Sequence, residues 1–574
     1  MLQYSFNIPY AGGFHLTVEN TGSDAQSFST LQFVCNSDLS LGSAPWGTLI
    51  QNAKSITKTQ DANGNYVHTV TLKSPLQLAP GQSADLNYAV GTLNGPLQIA
   101  MDPSVVQVSN DGSTYTPLDI AGKSNNPDPV PGKRVGGYYP NWAMYSSKFN
   151  VTDLPVNRMN TVKYAFINFD EKGNVSSFDS NADAQQLPQL SIMRKQYFYL
   201  NTALSFGGWT LSKNFSPMAS DNAARENFVK QAVAAMREAG CNEINIDWEY
   251  PVVNGAPGEP AGETPQDALG YTVLLEDLRK ALDAASQEDG ASYYLSIAGA
   301  GGVDKLQAIE KYLPGALERI ARAVNFVDVM AYDYHGAFDA SNPPPFNVSD
   351  FQAPMALAAN DPFNQSPVQK LYTIQTIFQA YLQYGFQPSQ LMFGFPAYVR
   401  AVTVQNCTGD NKGLYQVVTG AYQGQFDKTG IYTLAKLLDP NNIPGQGLPS
   451  TVQFVSADDP LCQAASECIG YDPTTGVFFS FDTADSLQAK LKQINCAGAF
   501  IWDLSGDPST PSQSLIAAIG IFYNAQASQQ YKQPVVVESA APPSQDFWAR
   551  LFGNCCGAES PASKHSEPPP DLQV

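Results

Sequence analysis

The chain has few of the side chains that hold metal ions or supply reactive thiols. Its 574 residues include four histidines and eight scattered cysteines, with no CxxC and no HxxxH pattern. Metal centres are built from clusters of such residues, so the sequence predicts no metal and no cofactor. P-loop and G-x-S-x-G motifs are also missing, which argues against the corresponding nucleotide-dependent and serine-hydrolase chemistries. Cys462 and Cys468 are close enough in the chain to pair within a loop.

Basic residues are in the minority. The chain has 32 Lys and Arg against 52 Asp and Glu, for a net charge of −20. Nucleic acids are bound chiefly by basic side chains, and so are anionic membrane surfaces, so neither is an expected partner. A neutral ligand such as a sugar is compatible with this charge. No apolar run is long enough to span a bilayer.

The first residues lack the pattern of a signal peptide, because residues 1–22 show no basic segment followed by a long apolar run. We therefore expect secretion by a route without an N-terminal signal, a cytoplasmic location, or a leader that is missing from this sequence. Residues 525–574 are rich in Pro, Ser and Ala and are expected to be mostly disordered. This tail could serve a C-terminal secretion route, and a protein partner could bind through it or through the N-terminal domain.

Residues 1–121 are expected to form a β-sandwich. Short β-rich runs such as GFHLTVENTG and YVHTVTLKSPLQL alternate with turn signals. Residues 122–133 are predicted to be a Pro-rich linker that is too polar to pack. The sandwich is either a carbohydrate-binding module or a spacer or docking domain, and both readings stay open. The aromatic residues that could stack on a sugar are Trp46, Tyr66 and Tyr88.

Strands alternate with helices from residue 134 to residue 524. Eight apolar, β-branched or aromatic runs, the first RVGGYY and the last AGAFIWDL, are separated by segments with helical features. Eight such units in about 390 residues predict an α/β fold, the (β/α)8 or TIM barrel. Residues 403–480, before the last strand, are rich in Gly and Pro and contain strand-like pieces, so we expect them to form an inserted subdomain.

The fourth run, NEINIDWEY, has polar residues at every second position. Alternate side chains of a strand share a face, so Asn245, Asp247 and Glu249 should form one stripe. A buried polar stripe costs free energy unless it is used. Barrel active sites lie at the C-terminal strand ends, which places Glu249 at the mouth. The neighbouring carboxylate of Asp247 would raise the pKa of Glu249 toward that of a general acid.

Two other strand ends add groups to the same mouth. Tyr332 and Asp333 follow the sixth run and could supply a hydroxyl donor and a third carboxyl. Trp502 ends the eighth run and could form an aromatic floor. Carboxyls that move protons, combined with flat rings that stack on pyranose faces, are what the cleavage of a sugar polymer requires.

The strand ends carry short motifs in a fixed order: GYYPNW, YAF, SFGGW, INIDWEYP, MAYDYHG and GFPAYVR. This ordered set resembles the motifs of the glycoside hydrolase family 18 chitinases, over residues 134–524. INIDWEYP is similar to the family's D-x-x-D-x-D-x-E signature. The segment 403–480 resembles the α+β insertion of the deep-cleft subfamily.

The resemblance implies substrate-assisted catalysis with no enzyme nucleophile. Glu249 would protonate the glycosidic oxygen, and Asp247 would hold the acetamido N–H and stabilise an oxazolinium ion. Tyr332 would hold the acetamido oxygen, and Asp333 would help to position the distorted sugar. The implied substrate-binding residues are Tyr138, Trp142, Phe166, Trp209, Met330, Tyr398, Arg400 and Trp502. Arg400 could instead be a structural ion-pair partner inside the cleft.

Three positions depart from the family signature. Asn242 and Glu243 stand where the family usually has Asp and Gly, and Asn245 stands where it usually has Asp. Asn245 and Ser205 are predicted to support the catalytic residues. Asn245 could donate a hydrogen bond to Asp247 but would remove a like-charged neighbour, which would shift the pKa of Asp247. Glu243 would be a buried carboxylate in need of a partner.

The predicted function is that of a retaining chitinase that cuts β-1,4 links between N-acetylglucosamine units. One alternative is a chitin-binding, lectin-like protein that has lost turnover, although the intact Glu249, Asp247 and Tyr332 favour the enzyme. Another alternative keeps the chemistry and changes the substrate to peptidoglycan or the core of N-glycans. His335 is expected to hydrogen-bond behind the site.

Overall fold

The computed structural model describes most of the chain. The described residues are 1–7, 13–35, 44–61, 66–89, 105–120, 128–253, 255, 258–259, 262–425, 429–439, 449 and 451–523. The predicted disordered tail, 525–574, lies outside the described residues. No helix in the described part of the chain is long and apolar enough to cross a membrane.

The N-terminal region folds into two sheets that pack face to face. Their strands are β1 Leu2–Asn7, β2 Gly13–Asn20, β3 Gln26–Cys35, β4 Ala53–Gln60, β5 Tyr66–Leu78, β6 Ser83–Ala89, β7 Val105–Ser109, β8 Thr116–Pro117 and β9 Asp119–Ile120, with one short helix, α1 Thr48–Gln51. The sheet orders are β6-β2-β1-β9 and β4-β5-β3-β7-β8. Phe14 of one sheet stacks on Phe33 of the other, with ring centroids 5.4 Å apart, as expected when each strand turns alternate residues inward.

The structure changes two expectations for this region. Tyr88 is 2% exposed and belongs to the core between the sheets, so the prediction that it could stack on a sugar is wrong. Trp46 is 37% exposed. The linker packs at its C-terminal end, since Val130 is fully buried and the Asp128 carboxylate accepts hydrogen bonds from Asn160. Residues 121–127 lie outside the described residues.

Eight parallel strands form a closed barrel. They are β10 Arg134–Pro140, β11 Thr161–Phe169, β13 Asn201–Gly207, β14 Glu243–Asp247, β15 Tyr294–Ala300, β16 Phe326–Met330, β17 Leu391–Pro396 and β25 Gly498–Trp502, and β12 Val175–Ser177 pairs antiparallel with β11. Each strand pairs with its neighbours in chain order, and β25 closes the ring onto β10. Both faces of these strands are covered, which explains their nearly continuous apolar sequences. The predicted TIM barrel is confirmed.

Helices surround the barrel. Their bounds are α2 Ala143–Ser146, α3 Ser180–Gln196, α4 Phe215–Ser220, α5 Asn222–Glu238, α6 Asp267–Asp289, α7 Val303–Tyr312, α8 Ala316–Ala323, α9 Ile374–Gln383, α10 Leu434–Leu437, α11 Ala484–Leu491 and α12 Leu515–Phe522. The α5 helix illustrates how the local sequence forms and orients these helices. The Asp221 carboxylate accepts a hydrogen bond from the Ala224 N–H and caps the helix. Phe228, Ala232 and Met236 repeat at helical spacing on its buried face.

An insertion lies between β17 and β25. Its strands are β18 Tyr398–Arg400, β19 Val402–Val404, β20 Val418–Ala421, β21 Ile431–Thr433, β22 Gln453–Val455, β23 Cys468–Asp472 and β24 Val477–Phe481. Five of them form a sheet in the order β20-β19-β24-β23-β22, and a small separate core packs beneath it. Cys462 and Cys468 are free thiols in this subdomain, so the pairing that the sequence permitted is not formed.

Candidate active site

A cleft opens at the C-terminal ends of the barrel strands and holds about 1290 Å³ of atom-free space. All twelve residues predicted to act in catalysis or substrate binding line this cleft. They are Tyr138, Trp142, Phe166, Trp209, Asp247, Glu249, Met330, Tyr332, Asp333, Tyr398, Arg400 and Trp502. The two predicted supporting residues, Asn245 and Ser205, are fully buried beneath it.

Glu249 sits just beyond the end of β14, two residues after Asp247. The strand ladder ends there because the Glu249 N–H donates to the Ser212 hydroxyl, at 2.8 Å, and not to a neighbouring strand. Trp248 points the opposite way and stacks on Phe215, with ring centroids 5.1 Å apart. The predicted alternation of side chains between the two faces of the strand therefore continues as far as Glu249. The strand β14 itself ends at Asp247 and is shorter than the run NEINIDWEY suggested.

The pKa values of Asp247 and Glu249 are both raised above those of ordinary carboxyls. Burial, followed by the charges of Asp247 and Asp333, raises the pKa of Glu249 well above its usual value. Burial, followed by the charge of Asp328, raises the pKa of Asp247. Among the described residues, no hydrogen bond reaches Glu249 Oε2 or Asp247 Oδ1. Both oxygens are therefore left for a ligand in the cleft.

Asp333 differs from these two carboxyls because both of its oxygens are occupied. The Tyr398 hydroxyl donates to Asp333 Oδ2 at 2.6 Å, and Arg400 Nε donates to Oδ1. Arg400 is thus an ion-pair partner as well as a lining residue. Tyr332, the residue before Asp333, is 8% exposed, and burial raises the pKa of its hydroxyl well above the usual value. It faces the cleft as a neutral hydrogen-bond donor.

Aromatic rings form one end of the cleft. Trp502 lies nearly parallel to Phe166, with centroids 5.8 Å apart and planes 24° apart. Tyr138 and Trp142 surround it at 5.4 and 6.5 Å. Trp209 lines both this cleft and an adjoining cavity that also contains Lys305 and Phe338. Such rings can cover the apolar faces of several successive sugars.

A sequence model for Glycosyl hydrolases family 18 matches residues 134–507, well over half of the chain and every barrel strand. The chain belongs to this family. The predicted family and the predicted glycoside hydrolase activity are confirmed.

Individual proteins and solved structures are also similar to this chain. Endochitinase 1 of Metarhizium robertsii is 28% identical over 421 residues, which cover 69% of this chain and 87% of that protein. Chitinase ChiA74 from Bacillus thuringiensis matches the fold with a TM-score of 0.58 at 24% identity, over 68% of this chain and 70% of the other. The match with Chitinase ChiW from Paenibacillus covers 91% of this chain and 43% of the ChiW chain, with a TM-score of 0.56 at 20% identity.

Asn245, one of the departures from the family 18 signature, does not contact Asp247 as expected. Its amide nitrogen donates to Ser296 at 2.9 Å and to Asp328 at 3.3 Å. Its amide oxygen accepts from Ser205 at 2.8 Å and from Tyr138 at 3.2 Å. The expected donation to Asp247 is therefore wrong.

Asp247 also keeps a like-charged neighbour, contrary to expectation. This neighbour is Asp328 of β16, two strands away from β14 in the barrel, and it also contacts Asn245 at 3.3 Å. The carboxylate that β14 lacks at position 245 is thus present on β16.

Glu243, the second departure, has the partner that the sequence did not identify. Arg134 pairs with one of its oxygens, the Ser296 hydroxyl donates to the other at 2.6 Å, and Lys163 lies 4.0 Å away. Burial opposes ionisation of Glu243, but the two cations outweigh burial and lower its pKa. Glu243 is therefore an ionised group at the bottom of the barrel.

Sequence reasoning missed Arg134, Lys163 and Asp328. Each is a charged residue in an otherwise apolar barrel strand, and each is 8% exposed or less. That contrast was the available signal, because charged side chains are rarely buried without partners. His335 lies apart from the cleft, with Nδ1 3.2 Å from Asp339, and its carboxylate neighbours overcome burial and raise its pKa to about 9.

Proposed function

We propose that the chain is a chitinase that cleaves β-1,4 links between N-acetylglucosamine units with retention of configuration. The observation that carries the proposal is the pair of buried carboxyls that line the cleft, Asp247 and Glu249, each with an oxygen that receives no hydrogen bond from the described residues. Asp333, the third carboxyl, is taken up by Tyr398 and Arg400, which makes it unsuited to act as a nucleophile. In family 18 the substrate's own acetamido oxygen takes the part of the nucleophile, and we assign it that part here.

Glu249 holds the proton that the leaving group needs. It donates this proton to the glycosidic oxygen as the bond between that oxygen and the anomeric carbon breaks. The acetamido oxygen of the same sugar forms a new bond to the anomeric carbon, which gives an oxazolinium ion. Water then attacks the anomeric carbon from the face that the leaving group vacated, the bond between that carbon and the acetamido oxygen breaks, and the water gives a proton back to Glu249. Two inversions leave the configuration retained.

Three groups around Glu249 stabilise the transition state. Ionised Asp247 accepts a hydrogen bond from the acetamido N–H and faces the developing positive charge. The Tyr332 hydroxyl donates to the acetamido oxygen and orients it for attack. Trp502 lies beneath the sugar that is cleaved, and Trp142 and Trp209 stack on sugars to either side.

Relatives named as chitinases support chitin as the substrate. A lectin-like protein without turnover is disfavoured because Glu249, Asp247 and Tyr332 all line the cleft. Peptidoglycan and the chitobiose core of N-glycans have the same acetamido chemistry and belong in the same substrate panel.

The deciding experiment is turnover of defined chito-oligosaccharides by the wild type and by Glu249→Gln. We expect the wild type to release product as the β-anomer, seen by NMR before mutarotation, and the variant to lose about 10²- to 10⁴-fold in kcat. A cello-oligosaccharide of the same length, which lacks acetamides, should not be cut. Equal rates for the variant, or hydrolysis of the cello-oligosaccharide, would contradict the mechanism. Ligand binding without product at any pH would favour the lectin.

A further inference from the structure

We infer that Asp328, on β16 beneath the cleft, is a positioning residue that sets the pH at which Asp247 ionises. Its carboxylate contacts Asn245, which lies two residues before Asp247 on the same face of β14, and is held in place by Lys163 of β11. The inference rests on the proposed function, since it assigns Asp328 a role in that reaction.

All the polar contacts that hold the Asp328 side chain are made to one of its two carboxylate oxygens. Asp328 is fully buried, and its Oδ2 accepts from the Tyr138 hydroxyl at 3.0 Å and from Asn245 at 3.3 Å. Lys163 Nζ lies 2.7 Å from the same oxygen. Asp328 Oδ1 is buried and receives no hydrogen bond from the described residues. The same is true of Asp247 Oδ1, so neither of these two oxygens is stabilised by a protein donor.

Among the residues that the structure describes, no cation is left to act on Asp247. Lys163 and Arg134 face Glu243 and Asp328 in the barrel interior; burial raises the pKa of Asp328, and Lys163 works against that rise. Asp247 lies two residues beyond Asn245 on β14, and Asp328, which contacts Asn245 at 3.3 Å, is the interior charge that acts on it. The other titratable groups that face Asp247 are Glu249, Tyr138, Tyr250, Tyr271 and Tyr332. None of them supplies a positive charge.

The consequence is a predicted pH dependence. Asp247 acts in its ionised form, so the acid limb of kcat/KM follows the release of its proton to solvent. A negative charge beside a carboxyl makes that release harder. Asp328 therefore holds the acid limb at a higher pH than burial alone would give.

The direct test is the pH profile of kcat/KM for Asp328→Asn on chitotetraose or a longer chito-oligosaccharide. Asparagine keeps the shape and the hydrogen bonds from Tyr138 and Asn245 but removes the charge. We expect the acid limb to move down by about one pH unit or more. A folded variant whose acid limb stays where it was, with the rate lowered equally at every pH, would overturn the inference in favour of a purely structural role.

A second variant tests whether the effect comes from the negative charge at this place and not from the Asp328 side chain itself. Asn245→Asp combined with Asp328→Asn moves the carboxylate from β16 to β14, across the 3.3 Å that now separates the two groups. We expect this exchange to bring the acid limb back toward that of the wild type. It also keeps Lys163 beside a negative charge, so it stays informative if Asp328→Asn alone fails to fold. A limb that remains displaced in the folded double variant would count against the inference.

The matched control is Asp482→Asn. Asp482 is also fully buried and pairs with a buried lysine, Lys490, at 2.8 Å, but neither residue lines the cleft. We expect a loss of stability without movement of the acid limb. A control that shifts the limb as much as Asp328→Asn does would remove the specific role of Asp328.

Failure of the proposed function can be told apart from failure of this inference. If the wild type turns over no chito-oligosaccharide, the carboxyl carbon of Asp247 can still be titrated by NMR in the wild type and in Asp328→Asn. A lower pKa in the variant would support the coupling between the two residues even though the chemistry was misassigned. An unchanged pKa would overturn it.

Discussion

The two ends of β14 carry buried carboxyl groups whose pKa values are shifted in opposite directions. Glu243 at the bottom and Asp247 at the top lie on one face of one strand, and both are buried. Arg134 and Lys163 lower the pKa of Glu243 in spite of its burial. Asp247 has no such cations, so burial and Asp328 raise its pKa.

This difference separates a structural carboxylate from a reactive one. Burial opposes ionisation at both positions, so burial cannot decide which group titrates near neutral pH. The nearby cations decide it. The same strand thus supplies an ionised anchor for the barrel floor and, a few residues further along, groups that can exchange protons with a ligand.

The largest effect is expected on stability, when the ion pair between Arg134 and Glu243 at the lower end of β14 is removed. Arg134→Met leaves Glu243 buried with Lys163 4.0 Å away, and Lys163 is already paired with Asp328 at 2.7 Å. We expect the free energy of unfolding to fall by about 3–5 kcal/mol, measured by urea denaturation at neutral pH. Arg134→Met combined with Glu243→Gln should recover much of this loss, because no unpaired charge remains. A single variant as stable as the wild type would show that Lys163 alone suffices.

The upper end should show its effect in the rate and not in folding. Asp247→Asn removes the charge that, in the proposed mechanism, faces the oxazolinium ion but keeps the shape of the side chain. We expect kcat on a chito-oligosaccharide to fall by about 10²- to 10³-fold, with a much smaller change in KM. The Asp482→Asn variant is the control for the loss of a buried carboxylate elsewhere. A variant that loses affinity and keeps kcat would place Asp247 in binding only.

Much of this architecture could be predicted from short-range patterns. The alternation in NEINIDWEY placed Asp247 and Glu249 on one face, and the order of the strand-end motifs identified the barrel and the residues that line its cleft. Such patterns depend on neighbours in the chain. They are therefore legible without a structure.

Other features depend on which strands meet across the barrel. Arg134 pairs with Glu243 and Lys163 pairs with Asp328, and each pair joins strands far apart in the sequence that meet only in the closed barrel. The sequence therefore left Glu243 without a partner and assigned Asn245 to the wrong one. The exact strand ends were also missed, because a side-chain hydroxyl, that of Ser212, ends the ladder at Glu249.

The smallest effect concerns stability and sharpens the contrast between the two ends. Asp247 has a folded-state pKa above its unfolded value, so its contribution becomes unfavourable as the pH rises from that unfolded value, about 4, toward the folded one. Asp247→Asn lacks this penalty. We expect it to be more stable than the wild type at neutral pH by about 1 kcal/mol or more, and to lose that advantage near pH 4.

Glu243→Gln should show the opposite slope. Glu243 has a lowered pKa, so its stabilising contribution is present above the unfolded value and is lost as the pH falls through the folded one. Relative to the wild type, this variant should be less stable at neutral pH and should approach the wild type in acid. Thermal unfolding of both variants between about pH 3 and pH 8 measures the two slopes. Parallel curves would mean that the cations at the barrel floor do not distinguish the two carboxylates.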